Sequence, residues 1–233
     1  MYIWLTDNEI KLNYNPKHMI KVVICDDHKI VRQGIKQIID SYPDIEIIAD
    51  DISSGEELLQ RLRKIETDII ILDVSLPGRS GLEVLKQVKI FYPDVNVLVL
   101  SMYPEDQFAI RMLKAGASGY LHKDSEPEVL IEAIRTINQG GEYLSPQITK
   151  LLYREMNNKN QDLPHKTLSD REYEVFLAIG EGKPNNFIAA QLKLSAKTIS
   201  TYRSRILTKM NMDNNSDIIK YILLHNLSPV AQM

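Results

Sequence analysis

Between residues 20 and 140, short apolar runs alternate with stretches whose apolar positions recur every three or four residues. The runs predict strands over 20–25, 45–50, 68–73, 95–101 and 118–122. The stretches that follow them predict helices over 28–41, 54–65, 81–91, 105–115 and 127–138. Five strand–helix units in about 120 residues form the pattern of a doubly wound α/β domain with a five-stranded parallel sheet. Local signals agree. Ser54 precedes Glu57 by three, as in a capping box, and Ile35, Ile38 and Ile39 share one helix face. Gly116 follows the fourth helix where a C-cap belongs. Pro127 can open the fifth, which Gly140-Gly141 ends.

The pattern changes over 142–165. Pro146 to Tyr153 predicts a short helix, and the polar, unperiodic run from Asn157 to Asp162 reads as a linker ending near Pro164. Residues 167–227 are helical in pattern throughout. Ser169 and Glu172 form a capping pair, and the first helix runs to Ile179 and stops at Gly180 or Gly182. Pro184 to Leu192 makes the second, Ala196 to Met210 a third capped by Ser195, and Asn215 to His225 the fourth. Only Lys193-Leu194-Ser195 join the second to the third, the spacing of a helix-turn-helix. The chain therefore divides into an N-terminal extension (1–19), an α/β domain (20–141), a linker with a short helix (142–165) and a small all-α domain (166–233). Residues 1–18 show no sustained period. Met19 is read as the physiological start, with an arm packed on the surface as the alternative.

At 233 residues, with 44% hydrophobic and 25% charged residues, the chain can bury the cores of two domains. The single cysteine, Cys25, excludes an internal disulfide and a multi-cysteine metal site, and its place in the first strand makes it a buried small hydrophobe. No apolar run approaches the roughly 20 residues that span a membrane, and no signal-peptide pattern opens the chain. A cytoplasmic protein without a membrane partner is expected. Charge is uneven: residues 20–142 hold 14 Lys+Arg against 21 Asp+Glu, and residues 166–233 hold 9 against 6. An acidic first domain and a basic second one imply different partners.

The chemistry gathers at strand ends. Ile69–Leu72 run into Asp73, Val22–Cys25 into Asp26-Asp27, and Val97–Leu100 into Ser101, while Lys123 ends the fifth strand. A strand-end aspartate can equally cap a turn, and Lys123 can pair with Asp124. A parallel sheet, however, brings these groups to one carboxyl edge, where open α/β sheets hold their ligands. Three neighbouring carboxylates repel one another, so a hard cation between them is expected, most simply Mg²⁺. Asp73 would then be a nucleophile towards phosphorus, with Lys123 and Ser101 contacting the transferred oxygens.

On these residues, 20–140 resemble the receiver domain of bacterial two-component response regulators, a flavodoxin-like fold. The resemblance implies Asp73 as phosphoacceptor, Asp26 and Asp27 as the metal-binding pair, and the Ser75 carbonyl as a further metal ligand. It also implies Ser101 as switch hydroxyl, Lys123 as the phosphoryl-contacting lysine and Tyr120 as an aromatic that turns inward when Ser101 moves. Pro77 and Gly81 match the loop after Asp73. Asp124 departs from the proline that many receivers carry there.

From Ser195 to Lys209 the third helix of the second domain carries Lys197, Arg203, Arg205 and Lys209 and no acidic residue. Ile199, Ile206 and Met210 recur at core spacing, leaving Thr198, Ser200, Thr201 and Ser204 on other faces. A basic helix with short hydroxyls suits a major groove, although an ordinary solvated charged helix has the same composition. Residues 167–227 resemble the LuxR-type helix-turn-helix output domain of NarL/FixJ regulators. The match includes Thr167-Leu168-Ser169, Arg171-Glu172, Ile188-Ala189 and Lys197-Thr198-Ile199. The resemblance implies that Ser200, Thr201 and Ser204 face bases and that Lys197, Arg203, Arg205 and Lys209 contact phosphates, with a guanine contact from Arg203 or Arg205 as the alternative. Asn186-Phe187 replaces the family's frequent Lys-Glu.

Together these imply a phosphorylation-activated, sequence-specific transcriptional regulator. Its partners would be a sensor histidine kinase or phosphotransfer protein, double-stranded DNA and, as a further possibility, RNA polymerase. It would form a homodimer on activation through the fourth and fifth receiver helices or through the last output helix, where Tyr221, Leu224 and His225 are candidates. Asp73 would undergo self-phosphorylation and slow hydrolysis without metabolic turnover. Two other classes stay open. A Mg²⁺-dependent aspartyl phosphatase needs an acid/base where Ser75 stands and would turn over small phosphate esters. A regulator acting through protein contacts would keep phosphorylation and select no duplex.

Overall fold

The computed structural model describes residues 19–157, 163–225 and 227. The expected extension over 1–18 and most of the polar run, 158–162, lie outside the described residues. Strands β1 (Ile20–Cys25), β2 (Ile45–Ile52), β3 (Ile69–Asp73), β4 (Asn96–Ser101) and β5 (Gly119–His122) form one parallel sheet in the order β2-β1-β3-β4-β5. Every residue of β3 is buried, as expected of a central strand covered on both faces. The order reverses between β1 and β3, which lie side by side with Cys25 opposite Leu72. The carboxyl ends of those two strands therefore form the crevice in which the residues after them meet.

Helices α1 (Lys29–Ile39) and α5 (Pro127–Asn138) cover one face, through Ile35, Ile39, Leu130, Ile134 and Ile137. Helices α2 (Gly55–Arg61), α3 (Gly81–Phe91) and α4 (Glu105–Lys114) cover the other, through Leu58, Leu85, Val88, Phe108 and Met112. After α5 the chain returns to the sheet edge, where the Tyr143 amide donates to the Ser118 carbonyl at 2.9 Å and Tyr143 bridges to Gly119 of β5. Helix α6 (Pro146–Asn157) then packs on α4. A 3₁₀ turn (Pro164–Thr167) leads into α7 (Asp170–Gly180), α8 (Asn185–Gln191), α9 (Ala196–Met210) and α10 (Asn215–Leu224).

The differences from the sequence expectation are local. Helix α2 ends at Arg61, short of the expected 65. Helix α6 runs four residues past Tyr153, and Glu155 on this extra turn pairs with Lys114 of α4 at 2.8 Å and with Lys166 at 3.1 Å. Ser54 caps α2 by accepting from the Glu57 amide, but the Glu57 carboxylate turns to the Ser53 amide, so the box is half formed. Complete boxes form at Ser80–Glu83, Ser169–Glu172 and Asn214–Asp217.

Candidate functional site

The crevice between β1 and β3 holds the acidic pocket. Asp73 ends β3 and Asp26 follows β1; each is 2% exposed. The Asp26 amide is tied to the Ile52 carbonyl at 3.2 Å, and Asp26 Oδ1 accepts from the His28 amide at 2.7 Å. Asp73 Oδ1 accepts from the Ser75 amide at 3.2 Å. Across the pocket, the Lys123 amide donates to the Ser101 carbonyl at 2.8 Å, continuing the β4–β5 pairing past the end of β5. That continuation aims the Lys123 side chain into the crevice, with Nζ 2.6 Å from Asp26 Oδ2 and 3.0 Å from Asp73 Oδ2.

Burial pushes the Asp73 carboxyl up to about 6; Lys123 opposes this and Asp26 adds to it. Burial alone would lower the Lys123 ammonium, but Asp73 and Asp26 outweigh it and the net shift is upward. Asp27 faces His28, whose Nδ1 lies 2.6 Å from Asp27 Oδ1 and 3.3 Å from Asp26 Oδ1. Asp26 Oδ2, Asp27 Oδ1 and Asp73 Oδ2 are buried and lie beside Lys123 Nζ or the His28 ring, yet none accepts a well-directed hydrogen bond. Donor atoms of Asp26, Asp27, His28 and Asp73 all lie within 4.8 Å of one another. Under-satisfied carboxylate oxygens so placed fit a hard divalent cation.

The loop after Asp73 is shaped by two glycines. Gly78 has φ +75°, and a Cβ on Gly81 would lie 2.3 Å from the Asp73 carbonyl oxygen. Ser101 is fully buried, and its Oγ accepts from the Tyr103 amide at 3.0 Å. Tyr120 is fully buried and turned inward, with its hydroxyl donating to the Tyr103 carbonyl at 2.7 Å.

The residues expected to meet DNA divide into two groups on α9. Lys197, Ser200, Thr201, Ser204 and Arg205 are exposed. The three hydroxyls bond back to carbonyls one turn earlier, Ser200 to Ala196, Thr201 to Lys197 and Ser204 to Ser200. The other three are engaged within the domain. Thr198 Oγ1 lies 2.7 Å from the capping Ser195 hydroxyl, Arg203 Nε donates to Asn215 Oδ1 at 2.6 Å, and Lys209 pairs with Glu172 at 2.6 Å. Phe187 is exposed with Lys183 over its ring. On α10, Leu224 is exposed, whereas the Tyr221 hydroxyl bonds His165 Nδ1 at 2.8 Å.

The two domains are docked. Arg111 of α4 donates to the carbonyls of His165 (2.8 Å) and Leu168 (3.1 Å), and its guanidinium stacks 4.0 Å above the Tyr173 ring. Lys86 pairs with Asp170 at 2.8 Å. Arg171, also paired with buried Glu174, reaches the carbonyls of Leu76 and Gly78. Burial pushes the Glu174 carboxyl up to about 7, with Arg171 opposing. Lys193, in the helix-turn-helix turn, lies 2.6 Å from Asp27 Oδ2. Sequence reading passed over Lys193 because it sits in a short turn with no local chemistry beside it. Arg171 was visible only as a motif match, and Glu172 as that and as the capping partner of Ser169.

Residues 22–135 match the family model of the response regulator receiver domain, and residues 166–222 that of bacterial regulatory proteins, luxR family. The oxygen regulatory protein NreC of Staphylococcus carnosus (strain TM300) is 34% identical over 215 residues, spanning 89% of this chain and 99% of NreC. The response regulator UvrY of Escherichia coli (strain K12) is 31% identical over 210 residues, spanning 90% of this chain and 96% of UvrY. Among solved structures, RcsB from Salmonella enterica serovar Typhimurium, bound to promoter rprA in the presence of phosphomimetic BeF3-, aligns with a TM-score of 0.58 at 25% identity. That alignment covers 87% of this chain and 98% of RcsB.

Proposed function

The chain belongs to the NarL/FixJ-type response regulators, a receiver joined to a LuxR-type DNA-binding domain, and we propose from that premise that phosphorylation of Asp73 controls its binding to specific DNA sequences. The observation that carries the reading is the bridge of Lys123 between two buried carboxylates, Asp26 and Asp73, at adjacent strand ends. An Asp73 oxygen attacks the phosphorus of a phosphohistidine on a sensor kinase or phosphotransfer protein, and the imidazole leaves. Lys123, already 3.0 Å from Asp73, holds one phosphoryl oxygen, and the Ser101 hydroxyl donates to another. Asp26, Asp27 and Asp73, with the Ser75 carbonyl, would hold Mg²⁺, which supplies positive charge against the transferring oxygens.

Ser101 and Tyr120 meet around Tyr103, the first through its amide and the second through its carbonyl. A shift of Ser101 towards the phosphoryl group therefore pulls on the segment leading into α4. Lys197, Ser200, Thr201, Ser204 and Arg205 form the exposed reading face, and Leu223 and Leu224 on α10 are available for pairing of two output domains on two half-sites. The protein works in the cytoplasm as an acceptor that turns over only its own phosphoryl group. Among the described residues no helix is long and apolar enough to cross a membrane.

The test follows mass, assembly and duplex selection together. Wild type incubated with Mg²⁺ and a small acyl phosphate should gain one phosphoryl group, and Asp73→Asn should gain none. The phosphorylated form should enrich a common sequence from a random pool. Phosphorylation without enrichment would move the output to protein contacts, and steady release of phosphate from small esters would make the protein a phosphatase.

A further inference from the structure

The acidic pocket of the receiver is completed by the output domain. Lys193 sits in the turn between α8 and α9 in the left-handed conformation, with φ 52°. The turn is pinned to the end of α8: the Lys193 amide donates to the Ala190 carbonyl at 3.2 Å and the Leu194 amide to the Ala189 carbonyl at 2.8 Å. From there the lysine stem reaches across the domain boundary and places Nζ 2.6 Å from Asp27 Oδ2. The Asp27 side chain is 5% exposed, so this partner meets a largely desolvated carboxylate. Each pocket carboxylate thus has an ammonium beside it: Asp26 and Asp73 share Lys123, while Asp27 has Lys193 and, on its other oxygen, the His28 ring.

We propose that Lys193 is a competitor of the divalent ion for Asp27, so that metal binding in the pocket and docking of the output domain oppose each other. The proposal rests on the reading of Asp26, Asp27 and Asp73 as the Mg²⁺ site. A divalent ion on Asp27 satisfies the carboxylate that Lys193 neutralises and repels the ammonium next to it. Coupling of this kind is reciprocal: the factor by which docking weakens the ion's binding equals the factor by which the ion weakens docking. Arg171 on the Leu76 and Gly78 carbonyls and Lys86 on Asp170 hold the output domain where Lys193 can reach. They carry no charge to the pocket itself, so the competition belongs to Lys193 alone. Lys193 also lies two residues before Ser195, the cap of α9. Its release returns a positive charge to the end of the helix expected to enter the groove.

The experiment uses the full chain with Mg²⁺ alone. Lys193→Asn and Lys193→Gly both accept the left-handed backbone and remove the charge, while Lys193→Arg keeps it. Calorimetric titration should show Mg²⁺ binding the two neutral variants about three- to tenfold more tightly than wild type, with Lys193→Arg close to wild type. Small-angle scattering should show Mg²⁺ shifting the wild type towards a more expanded form, and shifting the neutral variants less. Equal Mg²⁺ affinity in wild type and both neutral variants would overturn the competition while leaving the metal site intact. A wild type that takes up no Mg²⁺ at millimolar concentration would overturn the reading of the pocket and the competition with it.

Discussion

Arg171 of α7 donates to the Gly78 carbonyl at 2.8 Å, five residues beyond Asp73, the proposed phosphoacceptor. The output domain therefore grips the loop whose shape follows from the site, and the same guanidinium is the only charge partner of buried Glu174 among the described residues. Replacing Arg171 by Met should leave that carboxylate buried and unpaired. The expected cost is about 3 kcal/mol or more in unfolding free energy. Adding Glu174→Leu should recover most of it, which urea denaturation of the single and double variants will measure.

Gly81 is required by space. A Cβ there would meet the Asp73 carbonyl oxygen at 2.3 Å and Val74 Cα at 2.7 Å, both backbone atoms. Gly81→Ala should lower stability by about 2–4 kcal/mol and slow phosphorylation at Asp73, because the loop carrying Ser75 must shift. Thermal denaturation and the rate of mass gain with an acyl phosphate check both effects.

His165 links docking to pH. Burial lowers its imidazole to about 4, and Arg111, His225 and Lys166 add to the effect while Glu155 opposes it. The unfolded chain titrates near 6.5, so the histidine is neutral in both states above pH 7 and contributes nothing there. As pH falls from 6.5 through 4 the unfolded chain takes the proton more readily, and stability is lost. With allowance for solvent screening, wild type should lose about 1–2 kcal/mol more than His165→Gln between pH 7 and pH 4. Denaturant titrations across that range decide it.

Lys197 and Lys209 should separate in their roles. Lys197 is exposed and makes no ion pair among the described residues, whereas Lys209 holds the carboxylate of Glu172. Lys197→Ala should weaken binding to all duplexes similarly and reduce the salt slope by about one. Lys209→Ala should instead lower the stability of the output domain by about 1 kcal/mol or more. Affinity measured at several salt concentrations, beside melting curves, separates the two.

The pocket could be read from sequence because parallel strands end together: four apolar runs each leading to Asp26, Asp73, Ser101 or Lys123 already specify one edge. Periodicity also located α9, since Ile199, Ile206 and Met210 mark its buried side. Contacts between the domains follow no such period. Lys193 meets Asp27 across 166 positions of sequence, and Arg171 meets carbonyls that any residue at 76 or 78 would supply. Division of the basic helix into free and engaged cations was hidden for the same reason, because Asn215 and Glu172 come from neighbouring helices.

Tyr143 gives the sheet a guarded rim. By bridging to Gly119 it occupies part of the outer side of β5, which would otherwise offer unpaired amides and carbonyls to a strand from another molecule. The opposite rim, β2, is interrupted in its register with β1 and carries Glu46, Asp50 and Asp51. A receiver cut at Gly141, the boundary that the hydrophobic pattern predicts, keeps every strand and the pocket but loses this guard. Such a fragment should self-associate through β5 at concentrations where one extended past Tyr143 stays monomeric, so the start of the linker also protects the solubility of the domain before it.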